Sequence, residues 1–343
     1  MQSTILSVDL AKDVFEVAVA TGCGKVLRRH RLTRRKFQNL LATNEQSLVL
    51  MEACGSSHHW SRVAQQYGHE VRMLPAHYVS PYRRRGKTDR IDTDAILEAH
   101  RCSGIEPVPV QTVESQQIQQ LHLVREQLKK TRLQRINLIR GILRELGVFI
   151  SMGAAKVRPE VIAAFEGNEV PPVIKSTLAG LIDEMSTLEC RMKEIERELQ
   201  QLTRHDEVTN RLRRVPGIGL LTSTAFVSSV GNAGRFSTGR KLASWIGLTP
   251  REHSSGNKRS LGGISKQGNT YLRTLFVHGG RSVLLSASRS KKQGKTLTSL
   301  QLWALELAHR VGHNKATCAI ANKLARICWA VWVKESEYDA IMQ

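Results

Sequence analysis

Four acidic residues near the start of the chain have the types and spacing of a metal-dependent phosphodiester site. Asp9 and Glu52 each end a strand-like run, and Asp89 and Asp92 lie three residues apart in a helical segment. That spacing places both aspartates on one face of a helix. Carboxylate oxygens are hard ligands that suit Mg²⁺, or Mn²⁺ in its place, and such ions support both attack and departure at phosphorus. The set therefore predicts phosphodiester chemistry.

A simpler alternative applies to the acids of the helical segment. Asp89, Asp92 and Asp94 could form only a first helical turn, where negative charge is favourable. We adopt this alternative for Asp94, and we interpret Asp13 as a turn residue. For Asp89 and Asp92, the acids at the two strand ends favour a ligand role.

A basic, glycine-rich segment between residues 247 and 273 carries two adjacent serines, Ser254 and Ser255. A serine hydroxyl among cations can attack a phosphodiester while the cations stabilise the charge that develops on the phosphoryl oxygens. The residues by themselves favour the alternative, a serine-rich loop that contacts phosphate without forming a covalent bond.

A second glycine motif occupies residues 213–219 and precedes the apolar run Leu220–Val230. Its glycines would let backbone N–H groups approach phosphate at a helix N-terminus, as in helix-hairpin-helix elements. A tight turn without a nucleic-acid role is the alternative.

The charge of the chain points to a polyanionic partner. The formal net charge is +21 at pH 7. The segment from Asp206 to Lys295 contains sixteen Lys or Arg residues and only three acidic ones. So large an excess favours nucleic acid over a merely soluble or membrane-adhesive cationic protein. The residues expected to contact nucleic acid are Arg83, Arg84, Arg85, Lys87, Arg213, Arg214, Gly217, Gly219, Arg251, Lys258, Arg259, Lys266 and Arg273.

The elements that must position the acids form an α/β pattern in the first hundred residues. Strand-like runs at 4–10, 14–20 and 25–32 predict a three-stranded meander with short turns. A helix at 34–42, a strand at 47–51, a helix at 57–67, a strand at 70–74 and a helix at 88–102 are predicted to follow. This order is that of an RNase H-like domain.

Beyond this pattern the chain is predicted to be mainly helical. Residues 114–146 and 173–202 carry apolar side chains at helical spacing, which predicts an intramolecular hairpin or an intermolecular coiled coil. The stretch 151–172 is expected to be a loop or short helix, and glycine-punctuated short helices up to Gly268 precede further helical sequence. The predicted regions are 1–110, 111–205 and 206–343.

Composition excludes several classes of protein. Six dispersed cysteines without a CxxC pair argue against a zinc finger and favour a reduced cytosolic chain. The N-terminus shows no signal peptide, and no apolar run reaches the length of a membrane span.

Taken together, the motifs resemble those of DEDD transposases of bacterial insertion sequences, in which a RuvC-like domain precedes a serine-containing transposase domain. The resemblance covers nearly the whole chain. It rests on Val8-Asp9-Leu10-Ala11-Lys12, Met51-Glu52-Ala53, Lys87-Thr88-Asp89-Arg90-Ile91-Asp92, Pro216-Gly217-Ile218-Gly219, Phe236 with Lys241-Leu242-Ala243, Gly247-Leu248-Thr249-Pro250 and Ser254-Ser255-Gly256. The first motif departs from the family at Ser7, where a glycine would be unsurprising. This difference concerns the packing of the strand and not the metal ligands.

The resemblance implies roles for particular residues. Asp9, Glu52, Asp89 and Asp92 would bind Mg²⁺, and Ser255 would be the nucleophile, with Ser254 as the adjacent alternative. The serine would form a transient covalent link to a DNA phosphate, and the two sites could come from different protomers.

The resemblance also implies partners and a location. A structured guide RNA from the non-coding end of the element would base-pair with target and donor DNA. A dimer or tetramer in the bacterial cytoplasm, associated with the nucleoid, is expected. The alternative functions are a RuvC-like structure-specific nuclease that uses metal-activated water and a nucleic-acid-binding protein with a degenerate catalytic fold.

Overall fold

The computed structural model describes residues 4–83, 89–256 and 259–338. It divides the chain into two compact units, Met1–Thr112 and Val113–Gln343. The first is a mixed α/β unit and the second is mainly helical, which agrees with the predicted fold class at this level. The division into three regions stays a prediction.

A five-stranded mixed sheet forms the centre of the first unit. Its strands are β1 (Ile5–Leu10), β2 (Val14–Ala20), β3 (Val26–Thr33), β4 (Leu48–Glu52) and β5 (Glu70–Leu74), in the spatial order β3-β2-β1-β4-β5. β1 pairs with β2, and β2 with β3, in antiparallel fashion, so the predicted meander is confirmed. β4 is parallel to both β1 and β5.

Helices cover both faces of this sheet. They are α1 (Arg34–Thr43), α2 (Ser57–Gln66), α3 (Ala76–Val79) and α4 (Asp89–His100), with a 3₁₀ turn at Ser80–Tyr82. On one face, Phe15, Phe37 and Trp60 pack edge to face with centroids 5.1 to 5.3 Å apart. On the opposite face, Ala95, Ile96 and Ala99 of α4 join the buried cluster that contains Ile5 and Leu50. The sheet is therefore buried on both sides.

Nine helices of the described residues belong to the second unit. They are α5 (Val113–Glu145), α6 (Ala154–Glu166), α7 (Pro172–Leu202), α8 (Glu207–Leu212), α9 (Leu220–Val230), α10 (Gly239–Ile246), α11 (Thr270–Lys292), α12 (Ser299–Val311) and α13 (His313–Val333). A short antiparallel hairpin of β6 (Pro250–Glu252) and β7 (Leu261–Ile264) separates α10 from α11. The sequence did not predict this hairpin.

The two long helices α5 and α7 pack against each other within the chain. Three ion pairs join them, with N–O distances of 2.6, 3.0 and 2.6 Å, and these pairs are Arg125–Glu196, Arg132–Glu189 and Arg135–Glu184. The partner numbers fall as the arginine numbers rise, so the helices are antiparallel. Because their charges are partly exposed, the apolar seam contributes more to stability than these pairs do.

Paired glycines allow α11 to lie close to two neighbours at once. A methyl group at Gly279 would collide with the carbonyl oxygen of Gly217, and one at Gly280 would collide with the carbonyl oxygen of Thr317 on α13. Gly217 has φ +83°, a conformation that favours glycine. Gly217 of the motif at residues 213–219 is therefore required by packing, whatever else the motif does.

A buried histidine connects α5 with α9 and α11. The ring nitrogens of His122 lie 2.9 Å from the hydroxyl of Thr224 and 3.0 Å from that of Tyr271. Burial, followed by the charge of Arg125, lowers the pKa of His122 to about 4, so the ring is neutral at pH 7. Among the described residues, no helix combines the length and apolar character needed to cross a membrane.

Candidate functional site

The alternation of side chains along β1 and β4 places two of the predicted acids on the same face of the sheet. Leu6 and Val8 belong to the cluster under α1 and α2, so Asp9 points to the opposite face, where α4 lies. The same alternation separates Met51 from Glu52. Val8 pairs with Met51 in the parallel register. Asp9 and Glu52 therefore follow one step beyond, on strands about 4.8 Å apart.

Arg83 joins Glu52 to the acid on the helix. Its Nη2 lies 2.7 Å from Oε2 of Glu52, and its Nε lies 2.6 Å from Oδ1 of Asp92. One guanidinium thus pairs with two carboxylates from separate elements and leaves one net negative charge. The side chains of Glu52 and Asp92 are mostly buried, and that of Arg83 is 40% exposed. The sequence predicted Arg83 as a nucleic-acid contact and did not indicate this ion pair. We call Asp9, Glu52 and Asp92 the carboxylate edge.

A buried serine holds α4 against the sheet at this point. Ser7 is fully buried, and its hydroxyl donates a hydrogen bond of 2.8 Å to the backbone carbonyl of Thr93. Thr93 directly follows Asp92, so this bond sets the position of Asp92 relative to β1. The residue that departs from the expected glycine therefore has a positioning role, which only the packing of α4 makes visible.

The fourth acid, Asp89, is the first residue of α4, one turn before Asp92. The described part of the structure does not include the side chain of Asp89, nor the residues Arg84, Arg85 and Lys87. Within the described part, no three His, Cys, Asp or Glu side chains lie close enough together to hold a metal ion. The four-residue ligand set therefore stays a prediction, of which the structure joins Glu52 and Asp92 and places Asp9 on the adjacent strand.

The serine motif lies on the loop of the β6–β7 hairpin. We call residues 250–264, outside the undescribed positions 257 and 258, the serine hairpin. Ser254 donates a hydrogen bond of 2.8 Å to Oε1 of Glu252 and accepts one of 3.3 Å from the backbone N–H of Ser260. Arg259 also binds Glu252, at 3.2 Å. Ser254 thus links the two sides of the hairpin.

Ser255 differs from its neighbour. Both serines are exposed, but the hydroxyl of Ser255 makes no hydrogen bond to any of the described residues. Gly256 follows with φ +56°, so the chain turns directly after Ser255. Of the two serines, Ser254 is used to hold the hairpin and Ser255 is presented to solvent.

The base of the serine hairpin is a crossing of two backbone segments. Methyl groups at Gly247 and Gly268 would collide with the carbonyl oxygens of Gln267 and Trp245, and both glycines have positive φ, +81° and +80°. Arg273 is nearly buried and donates hydrogen bonds of 3.0 Å to the carbonyl oxygens of Ile246 and Gln267. Its guanidinium is therefore committed to this crossing.

The remaining predicted nucleic-acid contacts are scattered over the second unit. Arg213, Arg251 and Lys266 are exposed, and Arg214 forms an ion pair of 2.8 Å with Glu337. Gly219 precedes α9 and has open space where a side chain would be. Lys258 lies outside the described residues.

An α/β unit with an acidic sheet edge, followed by a helical unit with a large positive excess, is the organisation of an enzyme that acts on nucleic acid. Comparison with protein families makes the assignment specific. Residues 6–148 match the family model of the DEDD transposases of the IS110 group. Residues 209–295 match the model of the transposase IS116/IS110/IS902 family. The chain belongs to this family of insertion-sequence transposases, enzymes of DNA strand transfer.

Relatives that align over nearly the whole chain support the assignment to this family. The chain is 38% identical over 336 residues to the transposase for insertion sequence element IS1111A of Coxiella burnetii, a match that covers 97% of this chain and 91% of the relative. It is 37% identical to the "Probable family 20 transposase" of Pseudomonas aeruginosa, over 98% and 99% of the two chains. A transposase for element IS1328 of Yersinia enterocolitica is 33% identical over 96% of each. The family predicted from the motifs is confirmed.

Proposed function

We propose that this transposase exchanges DNA strands with two sets of side chains. Ser255 is the nucleophile, and Asp9, Glu52, Asp89 and Asp92 hold a divalent metal, Mg²⁺ or Mn²⁺. The first unit is taken to be RuvC-like. This is supported by the strand order β3-β2-β1-β4-β5 and by the packing of α4 on the face of the sheet opposite α1 and α2. A guide RNA, a homo-oligomer and a nucleoid-associated location in the bacterial cytoplasm are supported by the family resemblance alone.

The observation that carries the proposal is the shared guanidinium of Arg83. Two carboxylates from β4 and α4 lie close enough to be bridged by one cation, and like charges so close need positive charge between them. The donors are hard oxygens, which fit a divalent ion. When bound, such an ion would stabilise negative charge on the phosphoryl oxygens.

Arg83 has a consequence for this site. Its guanidinium binds one oxygen of Glu52 and one of Asp92, and its positive charge would repel a metal ion held by the same carboxylates. Release of either carboxylate by Arg83 would therefore favour binding of the metal ion. An arginine released near a phosphodiester would itself be able to pair with a phosphate, as the sequence predicted for Arg83.

The serine step follows from the different environments of the two hydroxyls. Ser255 Oγ forms a bond to phosphorus as the bond from phosphorus to one deoxyribose oxygen breaks, so the phosphodiester becomes a serine ester. The serine loses a proton and the leaving deoxyribose oxygen gains one. Attack by a second deoxyribose hydroxyl reverses these changes, which requires no external energy source. The exposure of Ser255 and the engagement of Ser254 support this assignment.

A denaturing gel separates the proposal from its alternatives. The protein is incubated with DNA of its element, with and without RNA from the non-coding end, in Mg²⁺ or in chelator. A protein–DNA adduct that requires Mg²⁺ and is lost in Ser255→Ala supports the proposal. Nicked DNA without an adduct, retained in Ser255→Ala, would instead indicate a RuvC-like nuclease that uses water. No product under any condition would indicate a degenerate nucleic-acid-binding protein.

A further inference from the structure

Helix α11 exposes one polar face over most of its length. None of the predicted nucleic-acid contacts lies on this face, since Arg273 of the same helix is buried. The face lines an open groove of about 540 Å³ in the second unit. The lining residues that matter here are His278, Arg281, Ser282, Ser286, Arg289 and Ser290. No carboxylate of the described residues lines the groove.

The donors of this groove follow the helical repeat. Ser282, Ser286 and Ser290 are spaced by four residues and form one stripe of hydroxyls. Arg281 and Arg289 flank the stripe eight residues apart, which corresponds to about 12 Å along the helix axis. A linear partner that offers acceptors at regular intervals would match this arrangement.

The positive charge of the groove is uncompensated within the described residues. Neither Arg281 nor Arg289 forms an ion pair there, whereas Arg125, Arg132 and Arg135 of α5 all pair with glutamates of α7. Burial, then the charges of Arg281 and Lys129, lowers the pKa of His278, and the opposing Glu126 is itself paired with Lys129 at 3.1 Å. The helix hairpin thus uses these arginines for folding, whereas Arg281 and Arg289 of α11 form no such pair among the described residues.

We propose that this face of α11 binds the phosphate backbone of duplex DNA. Guanidinium and hydroxyl donors are those that contact phosphate oxygens without reading sequence. Apart from the ring of His278, no aromatic side chain of the described residues lines the groove for the bases of a single strand to stack on, which favours a duplex. The established family supplies DNA as the substrate, so the inference does not depend on the serine or metal roles proposed above.

The salt dependence of DNA binding tests the proposal. Binding of the full-length protein to a duplex of unrelated sequence is measured by fluorescence anisotropy at several salt concentrations. If both arginines contact phosphates, the double variant Arg281→Gln, Arg289→Gln makes the negative slope of log K against log salt shallower by about 1.8. Its affinity at low salt falls about tenfold or more, with an unchanged circular dichroism spectrum.

A matched variant removes the same charge elsewhere. Arg191 and Arg197 lie exposed on α7 and form no ion pair among the described residues, so Arg191→Gln, Arg197→Gln should leave the slope unchanged. An unchanged slope for the α11 variant, or an equal change in the α7 variant, overturns the proposal. A loss of binding to an RNA duplex but not to DNA would likewise overturn it and assign the face to RNA.

Discussion

The carboxylate edge and the serine hairpin reach their geometry by different physical means. At the edge, side-chain alternation and strand register bring Asp9 beside Glu52, and a single guanidinium ties Glu52 to Asp92. In the hairpin, two backbone segments cross where only glycine fits, and the buried Arg273 binds the carbonyls of that crossing. A site built on a sheet depends on charge balance, whereas a site on a short hairpin depends on backbone geometry.

The largest expected effect concerns the two serines of the hairpin. Ser255→Ala should lower formation of the protein–DNA adduct by about 1,000-fold or more, because it removes the nucleophile. Ser254→Ala should retain adduct formation at a reduced rate, because it breaks only the link between Glu252 and Ser260. Quantitative denaturing gels measure both. Loss of the adduct in Ser254→Ala alone would exchange the two roles.

Removing one carboxylate from the edge should be the next largest effect. Asp92→Asn should lower strand cleavage by about 100-fold and leave DNA binding intact, because a ligand is lost while the basic surfaces remain. Asp94→Asn is the matched control, since Asp94 lies on the same helix and pairs with Arg29. Equal rates for the two variants would remove Asp92 from the site.

The dependence of the hairpin on its backbone crossing can be tested by stability. Gly247→Ala should lower the free energy of unfolding by about 3 kcal/mol, because the added methyl meets the Gln267 carbonyl at a positive φ. Gly263→Ala, in β7, has no heavy atom within 4 Å of the added carbon and should have little effect. Chemical unfolding measures the difference, and similar values for both variants would contradict the crossing.

The smallest expected effect tests whether the charge of Arg83 opposes metal binding at the carboxylate edge. Arg83→Ala should increase the affinity for Mn²⁺ about tenfold, because a competing positive charge leaves the two carboxylates. Isothermal titration calorimetry without DNA gives the affinity directly. Arg83→Lys keeps the charge and should resemble the natural protein, and weaker Mn²⁺ binding in Arg83→Ala would show that Arg83 does not compete.

Much of the first unit could be predicted because its sequence pattern is local. The alternation in β1 and β2 and the helical period of α4 are set by which side chains must be buried, and both were read correctly. The hairpin escaped prediction because β6 and β7 are three and four residues long and nearly fully exposed, so they show no apolar alternation. That the two long helices pair within one chain also needed coordinates, since the same apolar stripe could pair within a chain or between chains.

The amino-acid sequence by itself determined the family, the mixed α/β and helical character of the two parts, and the candidate acids and serines, because these follow from residue type and short-range spacing. Only the tertiary structure decided that Arg83 spans Glu52 and Asp92, that Ser7 anchors α4, and that the hydroxyl of Ser254, but not that of Ser255, forms hydrogen bonds within the described residues. The contacts of Arg83 and Ser7 join residues from separate elements, and the burial and register that create them exist only once the chain has packed.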